Sequence, residues 1–168
     1  MNGSAVRNLV RGEIVHSRII DVSCDKVFAA FTEPEQLVRW WGPKGFTTPT
    51  VKVDLHKGGT FHYCMRSPEG QEYWGKGVYR DIVWNHRIVY TDTFSDEKGG
   101  TLPPTAYGLS PDWPVETVVT VTFESRGGGT MLKLRHDIPS APSDEIEMCQ
   151  RGWVEMIDRL AELLEKDA

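Results

Sequence analysis

The last stretch of the chain limits its fold more than any other. From Ser143 to about Lys166, Ile146, Cys149, Trp153, Met156, Ile157, Leu160, Leu163 and Leu164 recur every three or four residues. Glu155, Asp158, Arg159, Glu162 and Glu165 occupy the remaining face. That spacing predicts one long amphipathic helix with a buried side, opened by Ser143 or Asp144 with Glu147 in capping-box position. Each large apolar side chain on the buried stripe stabilises by roughly 1.5 to 3 kcal/mol once removed from water. The rest of the chain must therefore supply an apolar surface long enough to receive it.

The receiver is a set of strands. Residues 13–21 alternate with period two, and so do the runs 46–55, 60–66, 73–83, 87–94, 116–125 and 130–136. The connections Lys57-Gly58-Gly59, Ser67-Pro68-Glu69-Gly70, Trp84-Asn85-His86 and Arg126-Gly127-Gly128-Gly129 are short and carry turn residues, as antiparallel neighbours require. One connection differs. Residues 95–114 are rich in Gly and Pro, carry Tyr107, Leu109 and Trp113, and are too long for a hairpin turn, so they are expected to cover something.

Two short helices are expected after the first strand. Ser23 is placed to accept from the first amides of one, with Val27, Phe28 and Phe31 on its inner face. Thr32 and Glu35 have capping-box spacing for the second, which carries Leu37, Trp40 and Trp41 and stops at Gly42-Pro43. The sum is an α+β domain, a curved antiparallel sheet of about seven strands around the C-terminal helix, over residues 1–168 with a core of about 13–165. A helix with its side chains is only about 10–12 Å across. It cannot fill such a sheet alone, and the space left is either packed by aromatics or open to a ligand.

Charge and cysteine usage exclude several functions. The 24 acidic residues outnumber the 19 basic ones, which are scattered, so nucleic acid is not expected as a partner. No apolar run approaches a membrane span, residues 1–11 lack the apolar block of a leader, and a cytoplasmic protein is expected. Cys24, Cys64 and Cys149 are an odd count without CxxC spacing, which argues against a disulfide framework or a zinc site. No metal and no cofactor are expected.

Several ordered segments carry a family resemblance. They are Val27-Phe28, Trp40-Trp41-Gly42-Pro43, Gly58-Gly59-Thr60-Phe61, Asp112-Trp113-Pro114, Thr120-Val121-Thr122-Phe123-Glu124, Gly129-Thr130, and Gly152-Trp153 in the final helix. Together, over residues 13–164, they resemble the START-like (SRPBCC) superfamily, in the branch similar to the C-terminal domain of the heat-shock-protein ATPase activator. The resemblance implies the helix-grip fold and a hydrophobic small molecule held between sheet and helix. It also implies two other functions known among relatives, cyclase, aromatase or hydrolase-like activity and the chaperone partnership of a stress response.

The residues offered for such a cavity are aromatic and soft. Phe61, Tyr63, Met65, Tyr79, Tyr90 and Phe123 are the bulky inward candidates on the strands, with Trp153 and Ile157 facing them from the helix. Trp40 and Trp41 are adjacent and cannot point the same way, so one is expected to seal the core and Trp41 to stand near the mouth. His136, in phase with Leu132 and Leu134, is the candidate catalytic group, either a base in an apolar cavity or a hydrogen-bonded structural histidine. His62, Cys64 and Arg66 alternate with the inward set and are expected to face solvent. No GxSxG elbow or phosphate loop is present, and no thiol lies beside a basic or histidine motif. An exposed edge strand or the Trp113 loop could serve a homodimer.

Overall fold

The computed structural model describes residues 8–168. The N-terminal limit of the expected domain, and most of the segment read for a leader, lie outside them. The described residues form seven strands, β1 (Leu9–Ile20), β2 (Thr47–Val53), β3 (Thr60–Arg66), β4 (Glu72–Val83), β5 (Arg87–Phe94), β6 (Thr117–Arg126) and β7 (Gly129–Pro142). Helices α1 (Cys24–Thr32) and α2 (Pro34–Leu37) follow β1, and α3 (Ser143–Asp167) closes the chain. The strands make one antiparallel sheet in the order β1-β7-β6-β5-β4-β3-β2. This is the helix-grip α+β arrangement. Among the described residues, no helix is long and apolar enough to cross a membrane.

The two strands that grew most beyond their sequence pattern pair with each other. β1 begins four residues before the alternation at 13–21, and β7 runs six residues past His136. In the register Leu9 lies opposite Pro142 and Val10 opposite Ala141, so each extension satisfies the other's backbone groups. Residues distant in sequence thus complete a ladder that no local pattern announces.

The expected caps do not form. Ser23 precedes α1 without a side-chain bond to the backbone; its carbonyl takes the amides of Lys26 and Val27, and its hydroxyl serves the Asp25 carboxylate instead. Thr32 is the last residue of α1, where its hydroxyl donates back to the Phe28 carbonyl at 2.9 Å. Glu33 instead holds the cap position of α2, extended and without a side-chain bond, and α2 is one turn long with Trp40 and Trp41 beyond it. At the start of α3 the strand runs directly into the helix. Pro142 holds the cap position and Ser143 is already helical, so no capping box is possible.

Helix α3 buries Trp153, Met156, Ile157, Leu160, Ala161 and Leu164 against the sheet, chiefly beside β1 and β7. Its polar flanks are more than a solvated face. Arg18 of β1 pairs with Asp158, and Glu165 accepts the Asp21 amide at 3.2 Å. On the other side Arg159 donates to the carbonyls of Gly42 and Pro43 at 2.8 and 3.0 Å, and Glu155 accepts the Lys44 amide at 3.0 Å. These contacts fix the helix between β1 and the 42–44 turn, which sets the width of the space beneath it.

Candidate functional site

Under one half of α3 the space is filled. Phe28 and Phe31 of α1 lie edge-on to Phe123 of β6, with ring centroids 5.5 and 5.6 Å apart, and Phe31 lies 4.8 Å from Trp40. Trp40 is fully buried and donates its indole N–H to the Ala30 carbonyl at 2.9 Å. Trp41 turns the other way. Its ring touches Trp40 at 5.3 Å on one side and Phe61, Tyr63 and Trp153 at 5.1, 5.3 and 5.8 Å on the other. It is the partition between a packed end and an open one.

Beyond Trp41 lies a cavity of about 240 Å³. Its floor is β3 and β5, its roof is the first half of α3, and its outer wall is the segment Leu109–Val115 of the long loop. That loop was expected to cover something, and it does so through a short 3-10 turn, Pro104–Tyr107, that brings Leu109 and the buried Trp113 over the opening. Val115 and Met148, 52% and 50% exposed, mark the mouth.

Of the sequence candidates, Trp41, Tyr63, Met65, His136 and Trp153 line this cavity. Phe61, Tyr79, Tyr90, Phe123 and Ile157 do not; they are buried in the core behind it. Periodicity assigned all of them to the inner face. The partition at Trp41 then decided which of them meets empty space.

Two glycines shape the floor. On the inner face of β4, Gly75 lies under the Tyr63 ring, and a Cβ there would overlap the Tyr63 hydroxyl and ring. Gly77 similarly lets the Thr91 carbonyl and the Tyr90 ring approach. Tyr63 therefore lies flat across β4 and delivers its hydroxyl to Asp92 of β5, where it donates to Oδ1 at a long 3.4 Å. Among the described residues no other group bonds the Asp92 carboxylate and no Lys or Arg lines the cavity. Loss of hydration with no cation in return pushes the Asp92 carboxyl up to about 7, although the Tyr63 bond opposes the shift. Burial also raises the Tyr63 phenol, with Asp92 adding to the effect, so Tyr63 stays a neutral donor.

Sequence reasoning passed over Asp92. Its signal was present, since Ile88, Tyr90, Asp92 and Phe94 share one phase of β5 and an acid stands where an apolar residue is due. Glu145, Cys149 and Thr117 were also missed as cavity residues. Glu145 is buried in the first turn of α3 and accepts the Ser110 amide at 3.1 Å, which ties the loop to the helix.

His136 is in the middle of β7, 2% exposed, with both ring nitrogens engaged. Trp153 donates its indole N–H to Nδ1 at 3.0 Å, and Thr117 lies 2.7 Å from Nε2. An indole nitrogen only donates, so Nδ1 is the acceptor and the single proton of the neutral ring sits on Nε2, donated to Thr117. Burial lowers the imidazole to about 4. This ring holds β6, β7 and α3 together and has no free nitrogen with which to act as a base.

The Cys149 thiol lies 3.7 Å from the same Nδ1, a pairing invisible in the sequence. Burial, with Asp92 nearby, pushes it up to about 12, so the thiolate of a nucleophilic cysteine is not formed. On the outer face, Cys64 corrects an expectation, since it is fully buried rather than facing solvent. Trp74 stands directly opposite it and the Arg66–Glu72 ion pair lies beside it, and these larger side chains enclose the short one. His62 is likewise half-covered, stacked on Trp74 and bonded to the Asp96 carbonyl at 3.1 Å.

Comparison with known proteins agrees with the fold. Residues 21–165 match the family described as Activator of Hsp90 ATPase homolog 1-like protein. A crystal structure of a protein from Chromobacterium violaceum is 26% identical, with a TM-score of 0.74 over 91% of this chain and 96% of that one. An AHSA1 protein of Silicibacter pomeroyi shares the fold at 22% identity, with a TM-score of 0.73 over 94% of this chain and 100% of that one. A solution structure from Arthrobacter aurescens does so at 23%, with a TM-score of 0.77 over 95% and 91%. No curated protein matches the chain.

Proposed function

The chain belongs to the family of activator of Hsp90 ATPase homolog 1-like proteins, and on that premise we propose that it binds a small hydrophobic or aromatic molecule in the cavity between β3, β5 and α3. The observation that carries this reading is the cavity itself. Space beneath a helix is normally filled, because a void forfeits the contacts of every atom that lines it. Here the filling stops at Trp41, and the walls beyond are Tyr63, Met65, Phe94, Trp113, Trp153 and Met156. Such apolar and aromatic walls around a few polar groups are the usual composition of a small-molecule site.

The size is informative. A cavity of about 150 Å³ holds benzene, and drug-sized ligands occupy about 300–1,000 Å³. A space of 240 Å³ suits a molecule of one or two rings. Binding without turnover is the simpler chemistry, since the imidazole is fully engaged and the thiol is held protonated.

The test is a thermal-shift screen of one- and two-ring aromatic molecules, followed by titration of tryptophan emission. Trp41 and Trp153 stand in the wall and should be quenched on binding. A saturable ligand that raises the melting temperature supports the reading. Absence of any saturable ligand, with emission unchanged, counts against it.

A further inference from the structure

We propose that the ligand carries a protonated amine, which pairs with Asp92 while its apolar part lies between Tyr63, Trp41, Trp113 and Trp153. This inference rests on the reading of the cavity as a small-molecule site and names the chemistry of its occupant.

The argument begins with what Asp92 lacks. An ionised carboxylate offers about four lone-pair positions, and the protein fills one of them with the long Tyr63 bond. The carboxylate borders the cavity, so its open positions are available to a ligand there. Asp92 is half-buried, and carboxylates withdrawn from water are ordinarily paired with a cation or held by several donors. Among the described residues no Lys or Arg lines the cavity, and the only imidazole in its wall is neutral and fully engaged. The desolvation of this acid is a cost met during folding, and a bound cation recovers it.

The walls suit the same charge. Trp41, Trp113, Trp153 and Tyr63 line the cavity, and the face of an aromatic ring carries a negative quadrupole that attracts an organic cation out of water. Met65, Met148 and Met156 add polarizable sulfur. An anionic ligand would meet the opposite, two carboxyl side chains in the wall, Asp92 and Glu145, and no lining ammonium or guanidinium to receive it. A neutral aromatic would fill the volume and leave Asp92 uncompensated.

Three probes of one shape separate these cases by isothermal titration of the full chain at pH 7.5, namely 2-phenylethylamine, 2-phenylethanol and 3-phenylpropanoate. A charge-assisted bond to a half-buried carboxylate in the cavity wall should favour the amine over the alcohol by about tenfold or more. The Asp92→Asn variant, close in shape, should reduce that ratio to near one. Equal binding of amine and alcohol, or tighter binding of the propanoate, overturns the amine inference and leaves the hydrophobic-ligand reading standing. A ratio that survives in a folded Asp92→Asn protein also overturns it. Binding of none of the three overturns the amine inference, and the wider screen then decides the hydrophobic-ligand reading. The amine-to-alcohol ratio in the unaltered chain decides the matter even if the variant does not fold.

Discussion

The two halves of the space beneath α3 are built from the same residue types and end in opposite states. At the α1 end, Phe28, Phe31, Trp40 and Phe123 interlock edge-to-face, and Trp40 satisfies its only polar atom on the Ala30 carbonyl. At the loop end, Trp41, Tyr63, Trp113 and Trp153 stand around a void and a nearly unpartnered acid. Aromatic content therefore does not separate core from cavity. What separates them is the supply of filler. Helices α1 and α2 press side chains into one half, whereas the other half receives only a loop, which closes over it without entering.

The contrast should break first at Trp40. Trp40→Ala removes a fully buried ring and its hydrogen bond, and should cost about 3–5 kcal/mol in urea unfolding. A loss below about 1 kcal/mol would mean that the packed end is no better packed than the open one.

Next in size is Asp92. Its folded carboxyl sits at about 7 against an ordinary 3.8, so the group favours folding fully below 3.8 and loses that contribution as pH rises towards 7. His136 works in the opposite sense. Its folded value of about 4 against an ordinary 6.5 means stability present above 6.5 and lost as pH falls towards 4. The two slopes oppose each other between about pH 4 and 6.5, so the native profile should be nearly flat there. The groups facing Asp92 are Tyr63, Tyr90 and Cys149, all held protonated through neutral pH by burial. Asp92→Asn should match the native protein near pH 4 and exceed it by on the order of 3 kcal/mol at pH 7.5. Parallel profiles from urea titrations across this range would contradict an acid desolvated in the cavity wall.

A smaller effect is expected at the floor. Gly75→Ala places a methyl group where the Tyr63 hydroxyl lies, so Tyr63 must leave its seat at a cost of about 1–3 kcal/mol. Quenching of tryptophan emission by a cavity ligand should weaken with it. Unchanged stability and unchanged quenching would mean that Tyr63 does not depend on the glycine. Least affected should be Met148→Ala at the mouth, half exposed, with a change in melting stability within about 0.5 kcal/mol.

Much of the scaffold was legible. β3 and β5 coincide with their patterns at 60–66 and 87–94, because an inner face of Phe61, Tyr63, Met65 or Ile88, Tyr90 alternates with an outer polar one. The start of α3 near Ser143 was legible because the 3.6-residue stripe opens at Ile146, one turn further on. The caps were not. Ser23 and Thr32 were capping residue types and Asp144 had Glu147 at capping-box spacing, yet none caps, since Ser23 bonds Asp25, Glu33 holds the cap of α2, and the strand leads directly into α3. A capping motif states what a side chain can do, and competing partners decide what it does.

By itself the sequence determined the order and type of the elements and the inner faces of the strands, because local periodicity sets which side chains share a face. It also placed Tyr63, Met65 and His136 on those faces and Trp153 on the buried stripe of the helix. Only the tertiary structure decided that the packing ends at Trp41, that Gly75 lays Tyr63 against Asp92, and that Trp153 and Thr117 occupy both nitrogens of His136. These are contacts between residues far apart in sequence. Those of Trp153 also depend on where α3 stands on the sheet, held by Arg18 with Asp158 on one side and Arg159 with the 42–43 turn on the other.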